Sequence, residues 1–115
     1  MRENKLADLS LDFSVKIIQL CEQIQGHPSL RNQLERAATS IGANIHEANY
    51  AQSKADFISK LQIALKECFE TEYWLTLLAR VSLIDLEISK QLSNQCGSLR
   101  RMLIASINTA KSNLK

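Results

Sequence analysis

Glycine and proline are scarce, at 3 and 1 in a chain of 115 residues. A sandwich or barrel needs many more turn formers, so the composition excludes the all-β classes and points to an all-α fold. Long apolar runs are missing too: no stretch reaches the ~18 residues of a membrane span. The opening MRENKLADLSLDF has no apolar signal core, and the expected location is cytoplasmic. Cys21, Cys68 and Cys96 stand far apart, with no CxxC or Cys/His spacing to hold a metal. They read as small buried hydrophobes in a reducing compartment, and no cofactor is implied. Neither Gly26 nor Gly42 sits in a phosphate-cradling loop. Aromatics are only 5% of the chain and the formal net charge only +2, too small by itself to imply a nucleic-acid partner. Acid, however, is absent from the whole of residues 100–115.

What the chain does have is apolar residues, 45%, against 23% charged. That suffices for one hydrophobic core and one domain. The apolar positions recur at three and four residues, the helical repeat. A first helix over about 7–25 carries Leu9, Phe13, Ile17, Leu20 and Ile24, with Asp8 or Ser10 to cap it and Gly26-His27-Pro28 to end it. Ser29 caps a second, over 29–50, whose seam is Leu30, Leu34, Ala37, Ile41, Ile45 and Ala48. The third, over 53–81, opens on a Ser53 and Asp56 capping box and buries Leu61, Ala64, Cys68, Leu75 and Leu78. Asp85 caps the fourth, over 85–113, with Ile88, Leu92, Cys96, Leu99, Leu103, Ile107, Ala110 and Leu114 as its stripe and a bend or break expected near Gly97. Short connections favour an antiparallel up-down-up-down four-helix bundle.

Two of these helices look double-sided. The second has a polar stripe of Gln33, Arg36, Ser40, Asn44 and Glu47 at the same spacing as its seam. A solvated face would carry Lys and Glu rather than Ser, Asn and Gln among small residues, so this side is expected to pack. On the third, Ile63, Glu67, Glu70, Trp74 and Leu77 occupy a side away from the core stripe. A polar network among Gln33, Arg36, Ser40, Asn44, Glu47, Glu67 and Glu70, joining helices or subunits, accounts for both, with Trp74 as an interface anchor. Second contact faces of this kind imply a homo-oligomer.

Here the chain resembles a known family. QLERAATSIGANIHEA and FISKLQIALKECFETEYWLTLLARVSLI are similar to the bacterial four-helix-bundle proteins encoded in intervening sequences of 23S ribosomal RNA genes. The residues that carry the resemblance are Gln33, Arg36, Ala37, Ser40, Ile41, Asn44, Ile45 and Glu47, then Ala64, Glu67, Glu70, Thr71, Glu72 and Trp74. One departure is Ala48-Asn49, where the family usually has Gly after the acid. The resemblance implies a bundle that assembles into a ring, commonly a homopentamer. It also implies kinship with the accessory protein of diversity-generating retroelements, which binds nucleic acid and reverse transcriptase through basic surface. It implies no enzymatic activity.

The residues support that last point. A di-metal bundle needs Glu-x-x-His pairs, and neither Glu47 nor Glu67 has a His three residues on, while His46 points about 100° away from Glu47. Ser40 has no His at a helical spacing to act as its base, and His27 lies in a Gly-His-Pro turn. No catalytic residue and no metal ligand is therefore assigned. Arg100, Arg101, Lys111 and Lys115 are the candidates for phosphate contacts. In a lone copy they amount to a solvated basic face, but a ring pools them into a rim. The expected function is thus a non-enzymatic, ring-forming bundle that binds RNA or DNA backbone through its C-terminal helix. The alternative is a scaffold for a protein partner; no membrane is implied.

Overall fold

A computed structural model of the chain describes residues 4–113. They form four helices, α1 Lys5–Gln23, α2 Pro28–Ala48, α3 Lys54–Arg80 and α4 Leu86–Ser112, and no strand occurs among them. Each helix packs on the next in sequence and α1 also packs on α4, which leaves α1 and α3 on one diagonal and α2 and α4 on the other. The bundle is a rod of 49 × 25 × 19 Å. Its core holds Phe13, Ile17 and Leu20 of α1, Leu34, Ile41 and Ile45 of α2, Leu61, Leu75 and Leu78 of α3, and Leu92, Leu99 and Leu103 of α4. No helix is long and apolar enough to cross a membrane.

The caps show how the chain sets these boundaries, and two differ from the sequence-based expectation. Neither Asp8 nor Ser10 caps α1. Asn4 does, its Oδ1 accepting from the Ala7 N–H at 3.0 Å, while Ser10 is buried and donates back to the Ala7 carbonyl. Leu6 and Ala7 pack on the core, and this draws the helix start forward of Asp8. At the other end Ile24 turns extended and Gly26 takes φ +76°, a conformation that glycine adopts without strain. Ser29 is not the cap of α2. His27, at φ 47°, takes that position with no side-chain bond, and Pro28 fills the first helical position, where its missing N–H costs nothing.

The later caps are those expected, with one difference of detail. Ser53 Oγ accepts from the Asp56 N–H at 3.0 Å, but the Asp56 carboxylate reaches one residue further back, to the Gln52 N–H at 3.3 Å. Asp85 Oδ2 accepts from Glu87 and Ile88.

No break occurs at Gly97. Cys96 and Leu99 are buried on either side of it, and their burial holds α4 helical through a residue whose intrinsic cost is about 1 kcal/mol. Leu9 and Ile88, assigned to the core stripes, are each 38% exposed. On α1 the inward positions go instead to Ser10 and Ser14, which lie against Gly42 of α2. Small residues on both sides let these two helices approach closely and rotate Leu9 to the edge. Leu114 lies outside the described residues.

Candidate nucleic-acid interface and the polar network of α2 and α3

The i, i+3 and i, i+4 spacing that puts Gln33 and Arg36 on one side of α2 also puts Glu67, Glu70 and Trp74 on the side of α3 that meets it. Arg36 Nη1 donates to Glu67 Oε2 at 2.9 Å, Nη2 contacts Glu70 Oε2, and Nε donates to Gln33 Oε1 at 3.1 Å. Trp74 Nε1 donates to the same Glu70 oxygen at 2.9 Å, so one carboxylate joins an indole and a guanidinium. The Trp74 hydrogen bond, with Arg36 beside it, holds the Glu70 carboxyl below the usual glutamate value. Arg36 in turn is pushed up, first by its hydrogen bond to Glu70.

Its side chain is 46% exposed against 12% for that of Glu67. Water therefore screens the pairs, and the network fixes register between the helices more than it adds stability. Glu47 stands apart from it and pairs with Lys60 at 3.1 Å. Asn44 turns inward along its own helix, its Nδ2 donating to the Ser40 carbonyl at 2.9 Å, so neither Ser40 nor Asn44 reaches α3 through a side-chain hydrogen bond.

The cations of α4 divide. Arg100 Nε donates to Glu72 Oε2 at 2.9 Å and its guanidinium lies 5.4 Å from the centre of the Phe69 ring. It is a clamp between α3 and α4 rather than a free phosphate contact. The Glu72 hydrogen bond also raises its pKa. Arg101 and Lys111 are exposed, and among the described residues Arg101 donates from Nη2 to Ser98 Oγ at 3.2 Å and to no carboxylate. Lys115 lies outside the described residues.

Two further cations, Arg80 of α3 and Lys90 of α4, line a groove of about 630 Å³ with Thr76, Leu86, Ser93 and Asn94. In all, four residues of α3, Phe69, Tyr73, Thr76 and Arg80, and four of α4, Lys90, Asn94, Gly97 and Arg101, run at helical spacing along the outer side of the α3–α4 seam. Neither stripe contains a carboxylate. Arg80, Lys90 and Arg101 take no part in the ion pairs among the described residues.

The family model for 23S rRNA-intervening sequence proteins matches residues 2–105. The chain belongs to that family. A solved structure from Bacteroides thetaiotaomicron VPI-5482, described as a protein with unknown function from the S23 ribosomal protein family, is 45% identical. It covers 89% of this chain and 97% of its own, with a TM-score of 0.83. No curated protein matches.

For this member of the 23S rRNA-intervening sequence family, the described residues contain no group of three or more His, Cys, Asp or Glu placed to hold a metal ion. Glu67 and Glu70 are both turned onto Arg36, and exposed His46 lies beside Tyr50 with ring centres 5.2 Å apart and planes tilted by 51°. All three cysteines are buried and unpaired. Burial pushes the Cys21 thiol up to about 11. Cys96, which donates to the Cys68 carbonyl at 3.4 Å, is pushed up by its Cys68 neighbour and by burial.

The sequence reading missed Phe69, Tyr73 and Arg80. Their 69, 73, 76, 80 spacing was available as a signal, but apolar residues run around every side of α3 and hid one stripe among several.

Proposed function

We propose that this protein is a non-enzymatic, self-assembling bundle, its helices running up-down-up-down, that binds RNA or DNA backbone along the α3–α4 seam. The observation that carries this is the cationic line of Arg80, Lys90 and Arg101, which take part in no ion pair among the described residues, continued by exposed Lys111, while Glu72 is committed to Arg100 and Glu87 stands at the end of the line, one turn before Lys90. Each cation set against a phosphate releases counterions, so affinity falls as salt rises.

Assembly strengthens weak contacts by repetition. Two different apolar surfaces support it. Leu11, Val15 and Ile18 form an exposed stripe on α1, and half-buried Trp74 and Leu77 with exposed Val81 form another on the outer side of α3, where Ile63 is exposed about three helical turns before Trp74. Because α1 and α3 are diagonal, these surfaces face away from each other. A head-to-tail contact between them repeats around a ring, and the family resemblance favours a homopentamer.

Titration of a fluorescent oligonucleotide at low and raised salt tests the binding. Affinity is expected to drop with salt and to be lost in an Arg101→Glu, Lys111→Glu double variant. Absence of binding at low salt, or equal binding by the double variant, removes the proposal. A second reading, a scaffold for a protein partner, draws on the same apolar surfaces. It gains support if native mass measurement gives a single copy and a nuclease-resistant protein complex is recovered.

A further inference from the structure

Phe69 and Tyr73 stand out in the cationic seam. They are 54% and 59% exposed in a chain with few aromatics, and rings of that size left in water favour burial against a partner. One helical turn apart, both emerge on the same side of α3.

Each ring is also braced. The Arg100 guanidinium, fixed by Glu72, sits on Phe69. Trp74, fixed by Glu70, meets Tyr73 edge-on with ring centres 5.1 Å apart. Bracing lowers the entropy lost when a partner settles on a ring. Around the rings lie the Arg80 and Lys90 groove with its Thr76 and Ser93 hydroxyls, and Arg101 on the other helix. Gly97 leaves room between them, since a β-carbon there would come within 3.3 Å of Arg100 Nη2 and 3.4 Å of Arg101 Nη1.

A duplex presents phosphates to such a surface but keeps its bases stacked inside, so the rings would go unused. A single strand presents both. π-faces flanked by cations and hydroxyls, in two stripes that contain no carboxylate, match backbone tracking with base stacking. The apolar α1 stripe of a second copy fits less well, because it would bury Arg80, Lys90 and Arg101 against Leu11, Val15 and Ile18.

Building on the proposed nucleic-acid role, we infer that this seam takes single-stranded nucleic acid. Bases stack on Phe69 and Tyr73, and phosphates lie on Arg80, Lys90 and Arg101.

The test compares one labelled 12-nucleotide sequence as single-stranded RNA, single-stranded DNA and matched duplex, by fluorescence anisotropy at fixed salt. The proteins are the full chain and its Phe69→Ala, Tyr73→Ala double variant, with helix content checked by circular dichroism. At least one single strand should bind more tightly than the duplex. The double variant should lose about tenfold or more of that affinity, the loss of one or two stacked bases, while duplex binding stays unchanged. A Tyr73→Phe variant should keep the single-strand affinity, since the ring and not the hydroxyl does the stacking.

Equal binding of strands and duplex, unmoved by the alanines, overturns the stacking inference and leaves the phosphate reading standing. No binding of any form overturns both. A double variant that falls apart into single copies by native mass measurement assigns the rings to subunit contact and likewise overturns the inference.

Discussion

Glu70 is the shared acceptor of the polar network between α2 and α3, because one of its oxygens serves both Trp74 and Arg36. Its carboxyl titrates below the usual glutamate value of 4.5 in the folded chain. The unfolded chain therefore binds more protons between the two values. This contribution to stability is complete above about pH 5 and is lost as pH falls through the folded value. A Glu70→Gln variant is expected to show a shallower loss of stability on that acid limb, measured by thermal unfolding from pH 3 to pH 7. The effect is small, since Arg36 is half exposed.

The thiols give a second expectation. With Cys21 pushed up to about 11 and Cys68 and Cys96 wholly buried, a thiol reagent at pH 8 should label the native protein slowly and label all three cysteines at once on unfolding. The spacing in the sequence put Arg36, Glu67 and Glu70 in one polar network but did not say whether it joins helices or subunits; in the structure Arg36 meets both carboxylates within one chain, while Glu47 pairs with Lys60 and Asn44 bonds along its own helix. The role of Arg100 was not legible in the sequence. Its partner Glu72 lies on the previous helix, and nothing in the run 85–115 announces it.

Among the elements, α4 best separates local propensity from tertiary packing. Gly97 should weaken a helix, yet α4 runs unbroken from Leu86 to Ser112 because buried Cys96 and Leu99 flank it. Replacing it with alanine would bring a β-carbon to 3.3 Å from the Arg100 head group and 3.4 Å from that of Arg101, both ends of flexible side chains that can shift by a few tenths of an ångström. Gly97→Ala is therefore expected to stabilise by about 0.5–1 kcal/mol, read from a denaturant titration with unchanged slope. A lower midpoint would mean that the two guanidinium groups cannot move.

Helix number and most core positions were legible from periodicity alone, as were the Ser53 and Asp85 caps. The starts of α1 and α2 were not. At α1 the packing of Leu6 and Ala7 outweighed the nearer capping residues, and at α2 the fixed φ of Pro28 made Ser29 unnecessary.

For the whole molecule, the decisive property is that the α1 stripe and the outer α3 surface differ and lie on diagonal helices. A self-complementary contact would join two copies through one patch used twice, whereas a head-to-tail contact uses each patch once per copy. Charge placed in the middle of either surface separates these cases. Val15→Glu blocks the α1 stripe and leaves the α3 surface intact; Leu77→Glu, between Trp74 and Val81, does the reverse. Each variant alone should run as a single copy in native mass measurement, because every junction then includes a blocked patch. Mixed in equal amounts, the intact α3 surface of the first meets the intact α1 stripe of the second, and one junction forms with no means of extending. The mixture should therefore give a pair of unlike copies and nothing larger. Each unlike pair displays two α3–α4 seams, so its avidity for an oligonucleotide should lie between those of the single copy and the ring. A mixture that stays as single copies removes the head-to-tail arrangement, and with it the pooling of cations around a ring.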